Sequence, residues 1–263
     1  MTPAQTDTWA SGERYEPYVG RWSRLVAPRF VAWLDQPPGL RWLDVGCGTG
    51  ALTDAVLRDA GPSSVLGIDP SPGFLASAAA GVRDPRAVFT LGDARALPVP
   101  DGAVDVVVSG LVLNFLPDQV AALGEMHRTV DGGTVAFYVW DYAGEMQMMR
   151  WFWDTAVDLD PSSADRQEGS RFAFCQPGPL AEVAAAAGLV DVEVTDVVVP
   201  TVFADFDDFW LPFLSAQAPA PSYVASLGDA ERTALREALR SRLPTADDGS
   251  IRLTARAWAV RGR

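Results

Sequence analysis

The sequence has 263 residues, of which 34 are acidic and 21 basic, and its formal net charge at pH 7 is -13. This acidic balance disfavours a nucleic-acid substrate, because a phosphate backbone repels a negatively charged surface. Two cysteines and one histidine are too few for a disulfide framework or a zinc site, so we expect no metal. The length suits one large domain, or a core domain that carries an insertion.

The N-terminal stretch MTPAQTDTWASGERYEPY lacks the basic-then-apolar order of a signal peptide. No apolar run in the sequence approaches the ~20 residues of a membrane span. We therefore predict a cytoplasmic protein with no membrane partner. Residues 15–34 have apolar side chains spaced as on one face of a helix. Because this helix precedes the first strand, we expect it to cap the sheet edge where ligands bind.

Apolar runs alternate with helical patterns over the next hundred residues. The runs predict strands over 41–45, 64–69, 87–91, 104–109 and 133–140. The segments between them predict helices over 51–60, 72–80 and 117–130. This alternation is typical of an α/β fold, a parallel sheet with helices on both faces.

The pattern changes after residue 142, where a Met- and Trp-rich helix leads into a polar loop that we interpret as an insertion. Residues 179–203 predict a helix and a long strand, residues 205–217 and 229–243 two further helices, and residues 250–262 a closing antiparallel strand. We expect four segments: a helical cap (1–39), a ligand-binding core (40–142), a helical insertion or lid (143–176) and a segment that completes the core (177–263).

The stretch LDVGCGTGALTDAV, residues 43–56, has three glycines in five positions between a predicted strand and a predicted helix. Such a turn brings bare backbone N–H groups to the carboxyl edge of the sheet, which indicates a nucleotide-type pocket. The same residues also match the dinucleotide-binding fingerprint G-x-G-x-x-G/A, with Ala51 in the last position. The glycines alone therefore leave the ligand open.

Acidic residues at the ends of three successive predicted strands favour a ligand without phosphates. Asp44 stands two residues before the first glycine, where it suits a ligand that carries an ammonium or sulfonium group and would repel a pyrophosphate. Asp69 ends the second strand and is placed to accept hydrogen bonds from both hydroxyls of a ribose. Asp93 follows the third strand, where it can accept from an adenine amino group.

Four motifs together resemble the class I S-adenosylmethionine-dependent methyltransferases, in particular the group that includes the ubiquinone and menaquinone C-methyltransferases. They are LDVGCGTG, GIDPS, GDARALPVPDGAVDVVVSGLVLNFLPD and EMHRTVDGGTVAFYVW. The resemblance is strong over residues 40–142 and fainter over PLAEVAAAAGLVDVEV. It implies a Rossmann-like three-layer αβα sandwich with a seven-stranded sheet, mostly parallel, whose last strand is antiparallel.

The resemblance also assigns S-adenosylmethionine contacts by position. The glycine turn and its flanking acid would hold the methionine part, Asp69 the ribose, and the loop after the third strand the adenine. Residues after the fourth strand would lie near the methyl group, and the front helix would close over the cofactor. The full set is Asp44, Gly46, Cys47, Gly48, Gly50, Asp69, Pro70, Ser71, Asp93, Ala94, Ser109, Leu111, Tyr15, Tyr18 and Arg21.

The methyl group of a sulfonium is already electrophilic, so an enzyme of this kind mainly aligns the acceptor and excludes water. Asp141, directly after the fifth strand, is the predicted base, and the alternative is that it caps the next helix. Asn114 stands where many relatives carry histidine and is expected to orient the acceptor. Aromatic residues suit a flat apolar acceptor, and the alternative is that they pack the insertion. They are Trp140, Tyr142, Trp151 and Phe172.

Three other classes of protein are alternatives for this sequence. An NAD-dependent oxidoreductase usually needs a Tyr-Lys pair or similar, and the sequence has no lysine. A DNA or RNA amino-methyltransferase typically carries an N/D-P-P-Y/F turn after the fourth strand, where this sequence has SGLVLNFLP. A non-catalytic S-adenosylmethionine-binding protein of the same fold stays open. The prediction is therefore methyl transfer to an O, N or C atom of a small, apolar or aromatic molecule, by a monomer or a homodimer.

Overall fold

The computed structural model describes residues 20–215 and 218–263, so Tyr15 and Tyr18 lie outside the described residues. The strands are β1 (Arg41–Val45), β2 (Ser64–Asp69), β3 (Ala87–Leu91), β4 (Val104–Gly110), β5 (Val130–Trp140), β6 (Glu193–Phe203) and β7 (Ile251–Gly262). The helices are α1 (Arg21–Leu34), α2 (Ala51–Asp59), α3 (Pro72–Gly81), α4 (Gln119–Arg128), α5 (Gln147–Leu159), α6 (Glu168–Arg171), α7 (Pro177–Ala186), α8 (Phe206–Trp210), α9 (Pro219–Ser226) and α10 (Asp229–Arg242).

The seven strands form one sheet in the order β3-β2-β1-β4-β5-β7-β6. Strands β1 to β5 pair in parallel, and the register places Leu43 beside Leu66 of β2 and Val107 of β4. Strand β7 runs antiparallel to β5, with Tyr138 beside Ala259. Parallel neighbours end at the same edge of a sheet, so the carboxyl ends of β1, β2, β4 and β5 come together there. The predicted fold class is confirmed.

Local signals explain why the helices begin where they do. The Ser71 side chain caps α3 by accepting a hydrogen bond from the Phe74 N–H, and Pro72 occupies the first helical position. Asp118 caps α4 in the same way, through the Ala121 N–H. The prediction that this helix begins at residue 117 was therefore early by two residues, because a cap residue is extended and stands outside the helix.

Contacts between residues group the described chain into two compact units. The sheet unit contains Arg21–Trp140, Phe174–Val197 and Ala257–Arg263. Its core is built from the apolar runs of the central strands, with Leu43, Val107 and Phe137 fully buried. Helix α1 packs on this sheet through the Phe30 ring, whose centroid lies 4.8 Å from that of Tyr138.

The helical unit contains Asp141–Ala173 and Val198–Arg256, together with Gly20. An aromatic cluster forms its core: the Phe152 ring stacks on Phe213 at 4.4 Å and meets Trp153 edge-on at 5.1 Å. The Trp153 indole N–H donates to the buried carboxylate of Glu168. Phe152 thus packs the interior of this unit.

Helix α9 was not predicted from the sequence, because PAPSYVAS has the composition of a turn. The structure accommodates both prolines in the first turn of the helix, where a missing N–H costs nothing. None of the helices formed by the described residues is long and apolar enough to cross a membrane. Within the same residues, no three His, Cys, Asp or Glu side chains are grouped so that they could hold a metal ion.

Candidate functional site

The glycine turn between β1 and α2 is built from three residues that all have left-handed backbones. The φ angles of Gly46, Gly48 and Gly50 are 73°, 53° and 86°. A side chain is strained at each of these angles. Space is a second constraint at Gly46, where an added Cβ would collide with the side chain of Val112. Both conformation and packing therefore explain the glycine spacing.

The N–H groups of this turn bond within the protein, contrary to our expectation that they are bare. The Gly46 and Cys47 N–H groups donate to the Ile68 carbonyl at 2.7 and 3.0 Å. Gly48 donates to Asp69 Oδ2 at 3.0 Å, and Gly50 to the Cys47 carbonyl at 2.9 Å. A phosphate-binding turn must offer its N–H groups to the ligand. In this turn, four backbone N–H groups already donate hydrogen bonds within the protein.

Asp44 places a carboxylate against the N-terminus of α2. Its Oδ2 accepts a hydrogen bond from the Thr53 hydroxyl at 2.6 Å, and the Thr53 backbone N–H donates to the same carboxylate. Because Asp44 is fully buried, its pKa rises to about 7, although the hydrogen bonds from Thr53 oppose the rise. Among the described residues no donor reaches Asp44 Oδ1. A helix N-terminus attracts negative charge, and the ionised form of Asp44 supplies that charge from within the protein.

Asp69 ends β2 beside the same turn and is nearly buried. Each of its two oxygens accepts one backbone N–H, from Gly48 at 3.0 Å and from Ser71 at 2.8 Å. Burial raises its pKa, and the two backbone hydrogen bonds work against that rise. A carboxylate offers about four acceptor positions, so both oxygens keep capacity for further donors such as hydroxyl groups.

Asp93 differs from the other two acids because it is exposed and already paired. Arg95 holds both of its oxygens, and this contact lowers the pKa of Asp93. Ala94, the next residue, is buried. An adenine amino group would therefore share this carboxylate with Arg95, and the assignment of Asp93 to adenine stays a prediction.

The end of β4 contributes two residues that hold the sheet edge together. The Ser109 hydroxyl donates to the Val45 carbonyl at 2.8 Å, which ties β4 to β1 directly below the glycine turn. Leu111 has a left-handed backbone with φ 63°, and its N–H donates to the Tyr138 carbonyl at 2.8 Å. Cys47 is buried in the turn, and burial raises the pKa of its thiol, so it is a packing residue and not a nucleophile.

Asp141 is held by a network that gives it a structural role. Gly144 and Glu145 donate their N–H groups to its carboxylate at 3.1 and 3.0 Å. The Arg256 guanidinium donates to Asp141 Oδ2 through Nε at 2.9 Å and Nη2 at 2.6 Å. The side chain is 1% exposed. These contacts stabilise the turn after β5, as in the capping alternative, and leave no open face from which to take a proton from an acceptor.

The remaining predicted residues are distributed over both units. In the sheet unit, Asn114 is buried in a 3-10 turn after β4, and Trp140 is buried at the end of β5. In the helical unit, the Tyr142 and Phe172 rings pack together with centroids 5.1 Å apart. Trp151 is half-buried on α5. Arg21, at the start of α1, stacks over the ring of its neighbour Trp22 at 4.3 Å.

Sequence reasoning missed two partners that complete these contacts. Thr53 is the third residue of α2, where a hydroxyl next to an N–H group suits a carboxylate, and this position could have been found from the helix prediction alone. Arg256 lies 115 residues from Asp141. Its place in an alternating strand indicates burial on one face, but the sequence does not indicate the partner.

The fold is that of a Rossmann-like α/β protein with carboxylates beside the glycine turn, at the carboxyl ends of β1 and β2. Residues 43–137 match the model of a family described as methyltransferase domain. A 2-methyl-6-phytyl-1,4-hydroquinone methyltransferase of a Synechocystis species is 34% identical over 185 residues, 69% of this chain and 57% of the relative. A demethylmenaquinone methyltransferase of Roseiflexus castenholzii is 30% identical over 174 residues, 60% of this chain and 72% of the relative.

The chain belongs to the class I S-adenosylmethionine-dependent methyltransferases. This membership confirms the predicted family and its cofactor. The chain spans little more than half the length of the Synechocystis relative. The same fold occurs in the phosphoethanolamine N-methyltransferase 2 of Haemonchus contortus, solved with S-adenosylhomocysteine, at a TM-score of 0.57 and 18% identity. That match covers 95% of this chain and 56% of the other.

Proposed function

We propose that this protein transfers the methyl group of S-adenosylmethionine to a small aromatic or apolar acceptor. The observation that carries the proposal is the buried Asp44 carboxylate at the N-terminus of α2, beside a turn whose N–H groups are already bonded. A dinucleotide would bring its pyrophosphate to this place, where it would meet a carboxylate and few available donors. A cationic adenosyl donor has no phosphate and complements the carboxylate.

The residues at the carboxyl edge fit the cofactor in three parts. Asp44 and the glycine turn would hold the methionine part, and the acceptor positions left on Asp69 suit the two ribose hydroxyls. Asp93 with Ala94 would hold the adenine, next to Pro70 and Ser71. When bound, the cofactor supplies an electrophilic methyl group. The protein's own contribution is to bind, align and exclude water.

Tyr142 and Phe172 are assigned to an aromatic acceptor by residue type alone, because both rings are buried and their planes are tilted by 44°. The names of the two relatives also support an aromatic acceptor, since one acts on a hydroquinone and the other on demethylmenaquinone. Trp140 is also assigned to the acceptor and Asn114 is assigned to orient it, and both belong to the sheet unit that contains Asp44 and Asp69. Asp141 is assigned to the fold, so an acceptor that ionises in solvent suits this site best.

Binding of the cofactor is tested by calorimetry with S-adenosylhomocysteine. The wild-type protein should bind it, and Asp69→Ala should weaken binding by about 1–3 kcal/mol, the cost of leaving the ligand's partners unpaired. Asp69→Asn keeps the size of the side chain, and it replaces Asp69→Ala in this experiment if the alanine variant does not fold. Asp105→Asn is the matched control, because Asp105 pairs with Arg41 at the opposite edge of the sheet and should leave affinity unchanged. Equal affinity of all variants would remove the ribose assignment.

Methyl transfer itself is tested with S-adenosylmethionine labelled in the methyl group. Hydroquinones, phenols, amines and carboxylic acids are offered in turn, together with a nucleic-acid substrate. We expect label on the hydroquinones or phenols and none on nucleic acid, given the net charge of -13. Binding of S-adenosylhomocysteine without transfer to any acceptor would favour the alternative, a non-catalytic S-adenosylmethionine-binding protein.

A further inference from the structure

Strand β3 forms one edge of the sheet, and its apolar side chains are unusually exposed. Among the described residues, β2 is the only strand that pairs with β3, so the outer edge of β3 has no strand partner. The sequence AVFTL contains no charged residue, and none of its side chains is buried. Val88 and Leu91 are 60% and 57% exposed. An uncharged and unpaired edge of this kind is a template for pairing with another strand.

The opposite edge of the sheet, β6, is protected against such pairing. Its sequence EVTDVVVPTVF contains Glu193, Asp196 and Pro200. Charged side chains and proline on an edge strand oppose pairing with another strand. Strand β3 contains none of these residue types. The open edge is therefore a particular property of β3.

Helix α3, which packs on β3, extends the same uncharged surface. Its sequence PGFLASAAAG has no charged residue, although Ala78 is its one buried residue. A surface helix normally has charged or polar residues on the face that points away from the core. Here Ala76, Ala79 and Ala80 are exposed instead. Helix α3 and strand β3 together form an uncharged edge surface, in a chain of which 21% of the residues are charged.

Charged residues flank β3 at both ends and in the same order, acid before base. Asp84 and Arg86 precede the strand and form one ion pair, and Asp93 and Arg95 follow it and form another. If two copies of the chain meet with their β3 strands antiparallel, the beginning of each strand lies beside the end of the other. To within one residue, Asp84 then faces Arg95 of the second copy, and Arg86 faces its Asp93. Parallel strands would instead bring like charges together.

We propose that the edge surface binds a second copy of this chain, by antiparallel pairing of the two β3 strands into one continuous sheet. The acid-before-base order at both strand ends is complementary to itself, which favours a second copy over an unrelated protein. In a register centred on Phe89, Val88 lies opposite Thr90 of the second copy, and the pair is two-fold symmetric. This proposal goes beyond the proposed function and does not depend on it.

Sedimentation equilibrium of the purified protein tests the interface. The wild type should have a mass of about twice the 28.2 kDa of one chain. Val88→Lys should weaken dimerisation by about tenfold or more, because the two-fold symmetry buries two unpaired charges at once. Val202→Lys is the matched control, since Val202 is a 47% exposed valine on the other edge strand, β6. This control should dimerise like the wild type.

A mixing experiment tests the antiparallel arrangement. Asp84→Arg places two arginines at the contact with the second copy, and Arg95→Asp places two aspartates there. Each variant alone should dimerise about threefold to tenfold more weakly than the wild type. An equimolar mixture of the two should dimerise like the wild type, because the two different chains have opposite charges at both contacts. A local effect of either substitution on folding could not be repaired by the other chain.

Three results would each overturn the proposal. The first is a wild type that stays monomeric, and the second is Val88→Lys dimerising as tightly as Val202→Lys. The third is a mixture of Asp84→Arg and Arg95→Asp that dimerises no more tightly than the single variants. Circular dichroism of each variant checks that it is folded. Calorimetry of the wild type with S-adenosylhomocysteine tests the proposed function separately from these results.

Discussion

Glu168 is a buried carboxyl group whose ionisation the fold opposes, so its replacement by glutamine should change how stability depends on pH. The Trp153 indole and the Ala220 backbone N–H both donate to it, and Arg171 is the charged group that acts on it. Burial outweighs these favourable contacts and raises the pKa of Glu168 to about 7.

The size of the expected stability change follows from the difference between the pKa of Glu168 in the folded protein and its pKa in the unfolded chain. A glutamate in the unfolded chain titrates near its ordinary pKa of 4.5. Because the pKa is higher in the folded protein, the folded state binds this proton more tightly. The resulting stabilisation is fully present below pH 4.5 and is lost as the pH rises through about 7. The two pKa values correspond to about 3 kcal/mol.

The assay is urea unfolding of the wild type and Glu168→Gln at several values between about pH 5 and pH 8. Glutamine keeps the shape of the side chain and can still accept from Trp153, but it does not titrate. The wild type should lose most of the 3 kcal/mol relative to the variant across this range. Asp44, whose pKa is also raised to about 7, is present in both proteins and cancels in the comparison. Parallel stability curves would show that Glu168 ionises normally in the folded protein.

Three further outcomes follow from the structure. Gly46→Ala should destabilise the protein by about 1–3 kcal/mol, because the added methyl group strains the backbone and collides with Val112. Gly124→Ala is the control: this glycine lies in open space within α4, and the substitution should stabilise the protein by about 0.5–1 kcal/mol. Equal melting temperatures of the two variants would contradict this prediction. Arg256→Leu leaves a buried carboxylate unpaired and should lower the free energy of unfolding by about 3–5 kcal/mol, measured in urea. Cys47 should stay unmodified by a thiol reagent in the folded protein, and rapid labelling would show that the turn opens.

The sheet could be predicted from the sequence because each of its inner strands is a short apolar run with clear ends. The predicted ranges of β1, β2 and β3 agree with the structure residue for residue. Strand β5 begins at Val130, before the predicted residue 133. Asp131 and the two glycines resemble a turn, and they lie where the register between β4 and β5 is interrupted, between the pairs Val104–Val130 and Val106–Thr134. Burial on both faces makes parallel strands easy to recognise, whereas their ends depend on neighbours that the sequence does not reveal.

The site was predictable as a set of residue types but not as a set of hydrogen bonds. Three acidic strand ends predict the sheet edge at which we propose that the cofactor binds, and these residues can be found from local sequence alone. Whether a given carboxylate is available depends on partners that are set by the fold. The Asp141 carboxylate accepts hydrogen bonds from Arg256, a residue of a distant strand, and the Asp93 carboxylate accepts them from Arg95, two residues later in the sequence. The position of an acid at a strand end therefore does not show whether its carboxylate is available to a ligand.

The two fingerprints that the glycine turn satisfies differ in what lies at the N-terminus of the following helix. In a dinucleotide site, that end must be open, because the pyrophosphate supplies the negative charge. Here the carboxylate of Asp44 takes the hydrogen bonds of Thr53, and burial keeps it from water. A second anion at the same place would face repulsion in a medium of low polarity, where charges interact strongly. We therefore propose that one aspartate, two residues before the first glycine, makes this turn unsuited to a phosphate and suited to a cationic ligand.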